Sequence, residues 1–124
     1  MALYKTVDLI GPALDWAVEL AKAGGVAEPN ANYWLEKWKD PARRVACECA
    51  SSNWAQGGPI IEREGITIIK YSSLCEDLEE GCVWGAQAYG AVYWHDSATP
   101  LISAMRCYVA GKLGNEVEIP KELL

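Results

Sequence analysis

The chain is organised around Asn53-Trp54-Ala55-Gln56-Gly57-Gly58-Pro59-Ile60-Ile61-Glu62-Arg63-Glu64-Gly65-Ile66, which we call the central segment. Two glycines and a proline restrict its backbone to tight shapes, so the pattern predicts a turn that leads into a strand. The alternative is a loop that faces a ligand, with the amides of Gly57 and Gly58 exposed to it. In that loop, Trp54 would stack on the ligand and Arg63 would pair with an anionic group. Turn chemistry alone leaves both interpretations open.

Length and composition indicate one globular domain that spans residues 1–124 and buries a core of its own. Apolar residues make up 51% of the sequence and charged residues 23%, as in ordinary globular chains. The net charge is −6 at pH 7, so the phosphate backbone of DNA or RNA would repel the chain. Composition therefore argues against binding to long nucleic acid, but one local cluster of amides and arginine could still hold a small anion.

The aromatic residues are six Trp and six Tyr, with no Phe, so every aromatic ring carries a hydrogen-bonding group. One explanation is that a small core uses Trp and Tyr for bulk, and the other is that some of them serve a binding surface. Because so many large rings are hard for a short chain to bury alone, we predict a homo-oligomer, most simply a dimer.

The cysteines predict free thiols rather than disulfides or a metal site. Their number is odd, no secretory signal pattern precedes them, and His95 is the only histidine available as a further ligand. We therefore expect a reducing cytoplasm, with no metal and no cofactor bound. No apolar run reaches the roughly 18 residues of a membrane span, so no membrane partner is expected. The five cysteines are Cys47, Cys49, Cys75, Cys82 and Cys107.

Two stretches show the periodicity of amphipathic helices together with capping residues. The first runs from Pro12 to Ala23, with Asp15 on its polar face and two glycines after its last turn. The second runs from Pro100 to Leu113, and Thr99 before it is a good N-cap. Between them, the β-branched and aromatic run Ile66–Tyr71 predicts a strand.

Shorter patterns complete an α+β fold, a small antiparallel sheet packed by two main α-helices. The stretch Tyr33–Lys39 has helical spacing, and its two tryptophans either pack on the core or form a lid over a pocket. Two strands around Gly90 suggest a hairpin. The further predicted strands, including that pair, are Leu3–Leu9, Arg43–Cys49, Cys82–Tyr89, Ala91–His95 and Glu116–Ile119.

Four pieces of the sequence belong together: Gly11–Val18, the central segment, Thr99–Arg106 and Lys112–Val117. In combination they resemble the NinX family of small accessory proteins from tailed bacteriophages and prophages. The similarity runs from the first helix to near the C-terminus and is poorest over Asn30–Cys49. The resemblance implies a viral protein that works in the cytoplasm of a bacterial host, and it implies no particular activity.

Catalysis finds little support in the residue pattern, so we predict that the protein is not an enzyme. On a strand, Glu62 and Glu64 would face the same side about 7 Å apart, near the spacing used by glycosidases, but Arg63 intervenes and no sugar-binding pattern accompanies them. His95 and Asp96 with a cysteine could form a catalytic cluster, although such a histidine at a strand end is more often structural.

A binding function fits the sequence better. The predicted ligand is a small nucleotide-like or phosphorylated host metabolite, which the protein would sequester without transforming it and so antagonise an anti-phage defence signal. The alternative is a protein-binding module that inhibits or redirects a host or phage protein, since Trp and Arg also dominate protein interfaces. The predicted ligand-binding residues are Trp54, Gln56, Gly57, Gly58, Glu62, Arg63 and, from the second helix, Arg106.

Overall fold

The computed structural model describes residues 1–39, 49–71, 83–88 and 94–124. Within these ranges the chain forms four α-helices and two small antiparallel sheets, which confirms the predicted α+β class. The predicted Arg43–Cys49 strand lies outside the described residues except for Cys49. The helices are α1 (Gly11–Lys22), α2 (Ala31–Lys39), α3 (Trp54–Glu64) and α4 (Pro100–Leu113); the strands are β1 (Ala2–Lys5), β2 (Thr67–Lys70), β3 (Trp84–Gln87), β4 (His95–Ser97) and β5 (Glu116–Ile119).

Helix α4 is the element around which the others pack. Thr99 caps its first turn, because the Thr99 hydroxyl oxygen accepts a hydrogen bond from the Ile102 amide at 3.2 Å. The predicted bounds Pro100–Leu113 are confirmed. The helix contacts α1, α3, all three strands of the larger sheet and β5, and its fully buried side chains include Met105 and Val109.

The predicted first helix is also confirmed, one residue earlier at each end than the pattern indicated. Gly24 and Gly25 follow it in left-handed conformations, and the Gly25 amide donates to the Leu20 carbonyl at 2.9 Å. Nearly every residue of α1 is buried, because α2 covers one side and α4 another. Helix α2 extends the predicted Tyr33–Lys39 stretch back to Ala31.

The central segment is an α-helix, so both the turn and the loop predicted for it are wrong. Its ends carry strong signals: the Asn53 side chain accepts from the Ala55 amide, and Gly65 closes the helix with φ of +63°. Gly57 is needed for packing rather than for a turn. A Cβ at that position would lie 2.6 Å from both the Ala50 carbonyl oxygen and a Leu101 methyl group. Because glycine has no Cβ, α3 can pack this closely against α4. Pro59 is tolerated inside the helix.

The larger sheet has the strand order β2-β3-β4, with both neighbouring pairs antiparallel. The Ile66–Tyr71 prediction is realised as β2, and β3 lies within the predicted Cys82–Tyr89 strand. β4 begins at His95, whereas the predicted strand ended there; Ala86 on β3 pairs with His95. Gly90, the expected turn of this hairpin, lies outside the described residues.

A second sheet, which the sequence did not predict as separate, pairs the two ends of the chain. β1 and β5 run antiparallel, with Tyr4 opposite Val117. Glu116–Ile119 is confirmed as a strand, but the predicted Leu3–Leu9 strand stops at Lys5 and continues as a 3-10 turn, Thr6–Asp8. The Thr6 hydroxyl donates to the Gly114 carbonyl at 2.7 Å and fixes this turn against the end of α4. None of the helices in the described ranges combines the length and apolarity needed to cross a membrane.

Candidate functional site

The helical central segment separates the residues that were expected to hold one ligand together. Trp54 and Arg63 lie nine residues apart on α3, which corresponds to about 13 Å along the axis and to opposite sides of the helix. The Gly57 amide donates to the Asn53 carbonyl at 2.9 Å, so it is part of the helix and not exposed to a ligand. The predicted clasp of a base by Trp54 and of its phosphate by Arg63 and the glycine amides is therefore wrong.

Arg106 has a structural role that the sequence did not predict. Its Nε donates to the Leu9 carbonyl at 2.6 Å and its Nη1 donates to the Asp96 carbonyl at 2.9 Å. These bonds join α4 to the segment before α1 and to β4. These two bonds hold the guanidinium against the backbone, and a ligand contact of Arg106 stays a prediction.

The helix also excludes the carboxylate pair considered for glycoside hydrolysis. Residues two apart on a strand face one side, but on a helix they are about 200° apart, so Glu62 and Glu64 point in opposite directions. Glu62 is exposed. Glu64 instead accepts from Arg63 Nε at 3.3 Å and lies 3.4 Å from Lys112 Nζ.

A shallow groove forms where the last turns of α1, α3 and α4 meet, and Arg63 lies in it. Its volume is about 550 Å³. Three of its side chains are cations, contributed by three different helices, and we call it the cationic groove. Its lining consists of Ala21, Lys22, Gly24, Arg63, Glu64, Tyr108 and Lys112.

Each cation of the cationic groove is placed by its own helix, and the fold then brings the three together. Lys22, Arg63 and Lys112 each lie in the last turn of a helix, where the helix dipole favours positive charge. Such placement would stabilise the helices even without a ligand. However, the fold brings the three helix ends together, so three cations converge here although the chain carries a net charge of −6. Periodicity marked each cation separately, but no sequence signal showed that they converge.

His95 and Asp96 do not form a catalytic pair, because neighbouring residues of β4 face opposite sides of the sheet. The Asp96 carboxylate accepts from the Tyr71 hydroxyl at 2.6 Å. Burial lowers the pKa of His95, and Arg106 adds to this effect while Asp96 opposes it. The His95 Nδ1 atom is buried with no hydrogen-bond partner among the described residues, which is unusual for a buried ring nitrogen.

Asp15 is the buried carboxylate that sequence reasoning missed. It was placed on the polar face of the first helix, yet it is 1% exposed, and the prediction is wrong. One oxygen accepts from the Trp38 indole at 2.7 Å and the other accepts from the Ser51 amide at 2.9 Å. Burial raises the pKa of Asp15 to about 6, although these hydrogen bonds oppose the rise. The signal was present, because a helix that is apolar on nearly all sides is buried all round.

The remaining predicted features have mixed outcomes. Trp34 is buried and Trp38 packs against α1, which favours core packing over a lid. Cys49 and Cys107 are buried and form no disulfide bond, and burial raises the pKa of Cys107 to about 11. The other three cysteines lie outside the described residues. No group of three or more potential metal ligands is found in the described part of the chain, and the absence of a metal stays a prediction. Trp54 is 54% exposed at the start of α3.

Comparisons with known proteins agree with the resemblance seen in the motifs. A search of curated proteins gives no significant match. The family model described as Bacteriophage P22, NinX matches residues 5–112, which include α1, the central segment and nearly all of α4. The chain therefore belongs to the NinX family of bacteriophage proteins.

Proposed function

We propose that this phage accessory protein binds a small phosphorylated, nucleotide-like host metabolite in the cationic groove. The observation that supports the proposal is the convergence of Lys22, Arg63 and Lys112 from three helices in a strongly acidic chain. This site retains Arg63 from the predicted set and replaces Arg106 and the glycine amides with two lysines. Trp54 and Gln56 lie toward the other end of α3 and are not part of it.

The chemistry of the groove suits binding rather than catalysis. Lysine and arginine donate charge-assisted hydrogen bonds to phosphate oxygens, and a groove of about 550 Å³ has room for a nucleotide-sized molecule. Among the described residues that line it, the only carboxylate is that of Glu64, which is paired with cations. A phage protein that holds a nucleotide signal in this way would lower its free concentration in the host cytoplasm, and we propose antagonism of a host defence as the purpose.

A melting screen followed by calorimetry tests the proposal. A ligand that binds only the folded chain raises its melting temperature, and inorganic phosphate, nucleotides, cyclic dinucleotides and adenosine-diphosphate-ribose are the compounds to screen. For a compound that shifts the melt, Arg63→Ala should cost about 1.5–3 kcal/mol of binding free energy if it removes a charge-assisted bond. Lys112→Ala should weaken binding as well.

The matched control is Lys39→Ala. Lys39 ends α2 and pairs with Glu36 three residues earlier, as Lys22 ends α1 and pairs with Glu19, but Lys39 lies outside the groove. It should leave affinity unchanged. If Arg63→Ala and Lys112→Ala both bind as tightly as the wild type and Lys39→Ala, the ligand is bound elsewhere.

One observation favours the alternative, a protein-binding module. The Trp54 indole is 54% exposed, and exposed tryptophans frequently anchor protein interfaces. Under this alternative no compound shifts the melt, and the melting temperature rises only when the partner protein is added. Trp54→Ala would then abolish the shift, whereas Arg63→Ala would preserve it, since the two side chains lie on opposite sides of α3.

A further inference from the structure

The Glu64 carboxylate pairs with the two cations of the cationic groove that lie at the ends of α3 and α4, Arg63 and Lys112. One of its carboxylate oxygens lies 3.3 Å from Arg63 Nε and the other lies 3.4 Å from Lys112 Nζ. Lys22 is engaged separately by Glu19 on its own helix, at 3.0 Å. An anion that bridges Arg63 Nε and Lys112 Nζ therefore competes with this carboxylate.

We propose that the ligand is a phosphate monoester and that Glu64 is its internal competitor. The inference rests on the proposed function and narrows its ligand class. When Glu64 turns away, Arg63 and Lys112 together offer two positive charges. A phosphate monoester carries about −1.5 to −2 at pH 7 and three terminal oxygens, so it matches both cations.

Other anions fit this exchange less well. A carboxylate or a phosphodiester carries one negative charge, as Glu64 does. Its attraction to the two cations is therefore little stronger than that of the carboxylate it displaces. A diphosphate or triphosphate brings more negative charge than Arg63 and Lys112 neutralise, since Lys22 is already paired with Glu19, and the net charge of −6 opposes the excess. The groove therefore selects ligands by their charge. An anion binds well only when its attraction to Arg63 and Lys112 exceeds that of the Glu64 carboxylate.

Two ligands that differ only at the phosphate test this assignment: adenosine monophosphate, a monoester, and 3′,5′-cyclic adenosine monophosphate, a diester. Calorimetry of the wild type should show at least about tenfold tighter binding of the monoester, since it adds a second charge to a two-cation site. Glu64→Gln removes the competitor and should tighten monoester binding about three- to tenfold. Glu62→Gln is the matched control, because it removes the same charge from an exposed position of the same helix and should change affinity less than twofold.

The outcomes separate this inference from the proposed function. If the diester binds as tightly as the monoester, the ligand class is wrong. If Glu64→Gln binds the monoester no better than the wild type, or no better than Glu62→Gln, Glu64 is not a competitor. If neither nucleotide nor inorganic phosphate binds to the wild type or to Glu64→Gln, this inference is rejected, whereas the proposed function is rejected only when no compound of the melting screen binds either.

Discussion

Asp15 shows how one residue links three separate parts of the chain. Its carboxylate lies inside α1, accepts from Trp38 on α2 and accepts from the Ser51 amide just before α3. The two bonds hold α2 and the start of the central segment against α1. These bonds require a carboxylate to be buried, which is unfavourable for its charged form. Burial therefore raises the pKa of Asp15 to about 6.

The raised pKa of Asp15 predicts a pH dependence of stability. The folded state binds the proton more tightly than the unfolded state, whose ordinary value is 3.8, so this group's contribution is greatest below pH 4 and is lost as pH rises through 6. Between pH 5 and pH 7 the wild type should lose about 1 kcal/mol through Asp15. Urea unfolding of the wild type and of Asp15→Asn at both pH values measures this loss, because the free energy of unfolding of the variant should not show it.

The control for that measurement is Asp8→Asn, which removes the same charge from an exposed position. It should preserve the slope of the wild type. If Asp15→Asn and the wild type change in parallel between pH 5 and pH 7, the carboxylate of Asp15 is not the group responsible.

At the scale of elements, α3 illustrates two different uses of glycine within one helix. A Cβ at Gly57 would meet the Ala50 carbonyl oxygen and Leu101 at 2.6 Å, whereas a Cβ at Gly58 would meet no atom of another element within 4 Å. Adjacent and chemically identical residues are thus under different constraints. The helix is held by its N-cap, its left-handed C-terminal glycine and its packing on α4 rather than by intrinsic propensity.

This contrast predicts unequal effects of two alanine substitutions. Gly57→Ala should lower the free energy of unfolding by about 1–3 kcal/mol, because the backbone of Ala50 cannot move aside freely. Gly58→Ala should change it by less than about 1 kcal/mol, because the gain in helix propensity is opposed by Pro59, whose ring disfavours a helical backbone at a preceding residue that has a Cβ. Chemical denaturation of both variants checks the pair. Equal effects of the two substitutions would contradict the packing of α3 against α4.

At the scale of the whole molecule, the aromatic residues are divided between core and surface. Trp16 and Trp34 are buried, while Trp54, Trp94 and Tyr33 are each more than a third exposed. Exposed rings on a chain of this size leave apolar surface that a second copy could cover. The homo-oligomer therefore stays a prediction.

Sedimentation velocity at micromolar concentration tests the predicted dimer. We expect a species of about twice the 13.6 kDa chain mass, since two copies would bury the exposed rings against each other. Trp54→Ser, which removes a ring that is 54% exposed, should shift the distribution toward the single chain if that ring lies in the interface. A wild-type protein that sediments only at 13.6 kDa would contradict the prediction.

Local signals in the sequence determined the two main helices, most strands and the α+β class. Capping residues and apolar periodicity act within a few positions of each other, so Thr99 and the stripe that follows it could be read directly. Charge and composition gave expectations of another kind. The net charge of −6 and Arg63 in the central segment favoured one local anion site over long nucleic acid, and that stays a prediction.

Only the tertiary structure decided what the central segment is and which residues meet. Gly57 looked like a turn residue because its reason, a close approach to Ala50 and Leu101, lies in distant parts of the chain. The hydrogen bonds of Arg106 to the carbonyls of Leu9 and Asp96 were not predicted, because these residues are not its neighbours in the sequence. The cationic groove likewise exists only because three helix ends, far apart in sequence, converge in space, and periodicity carries no information on such contacts.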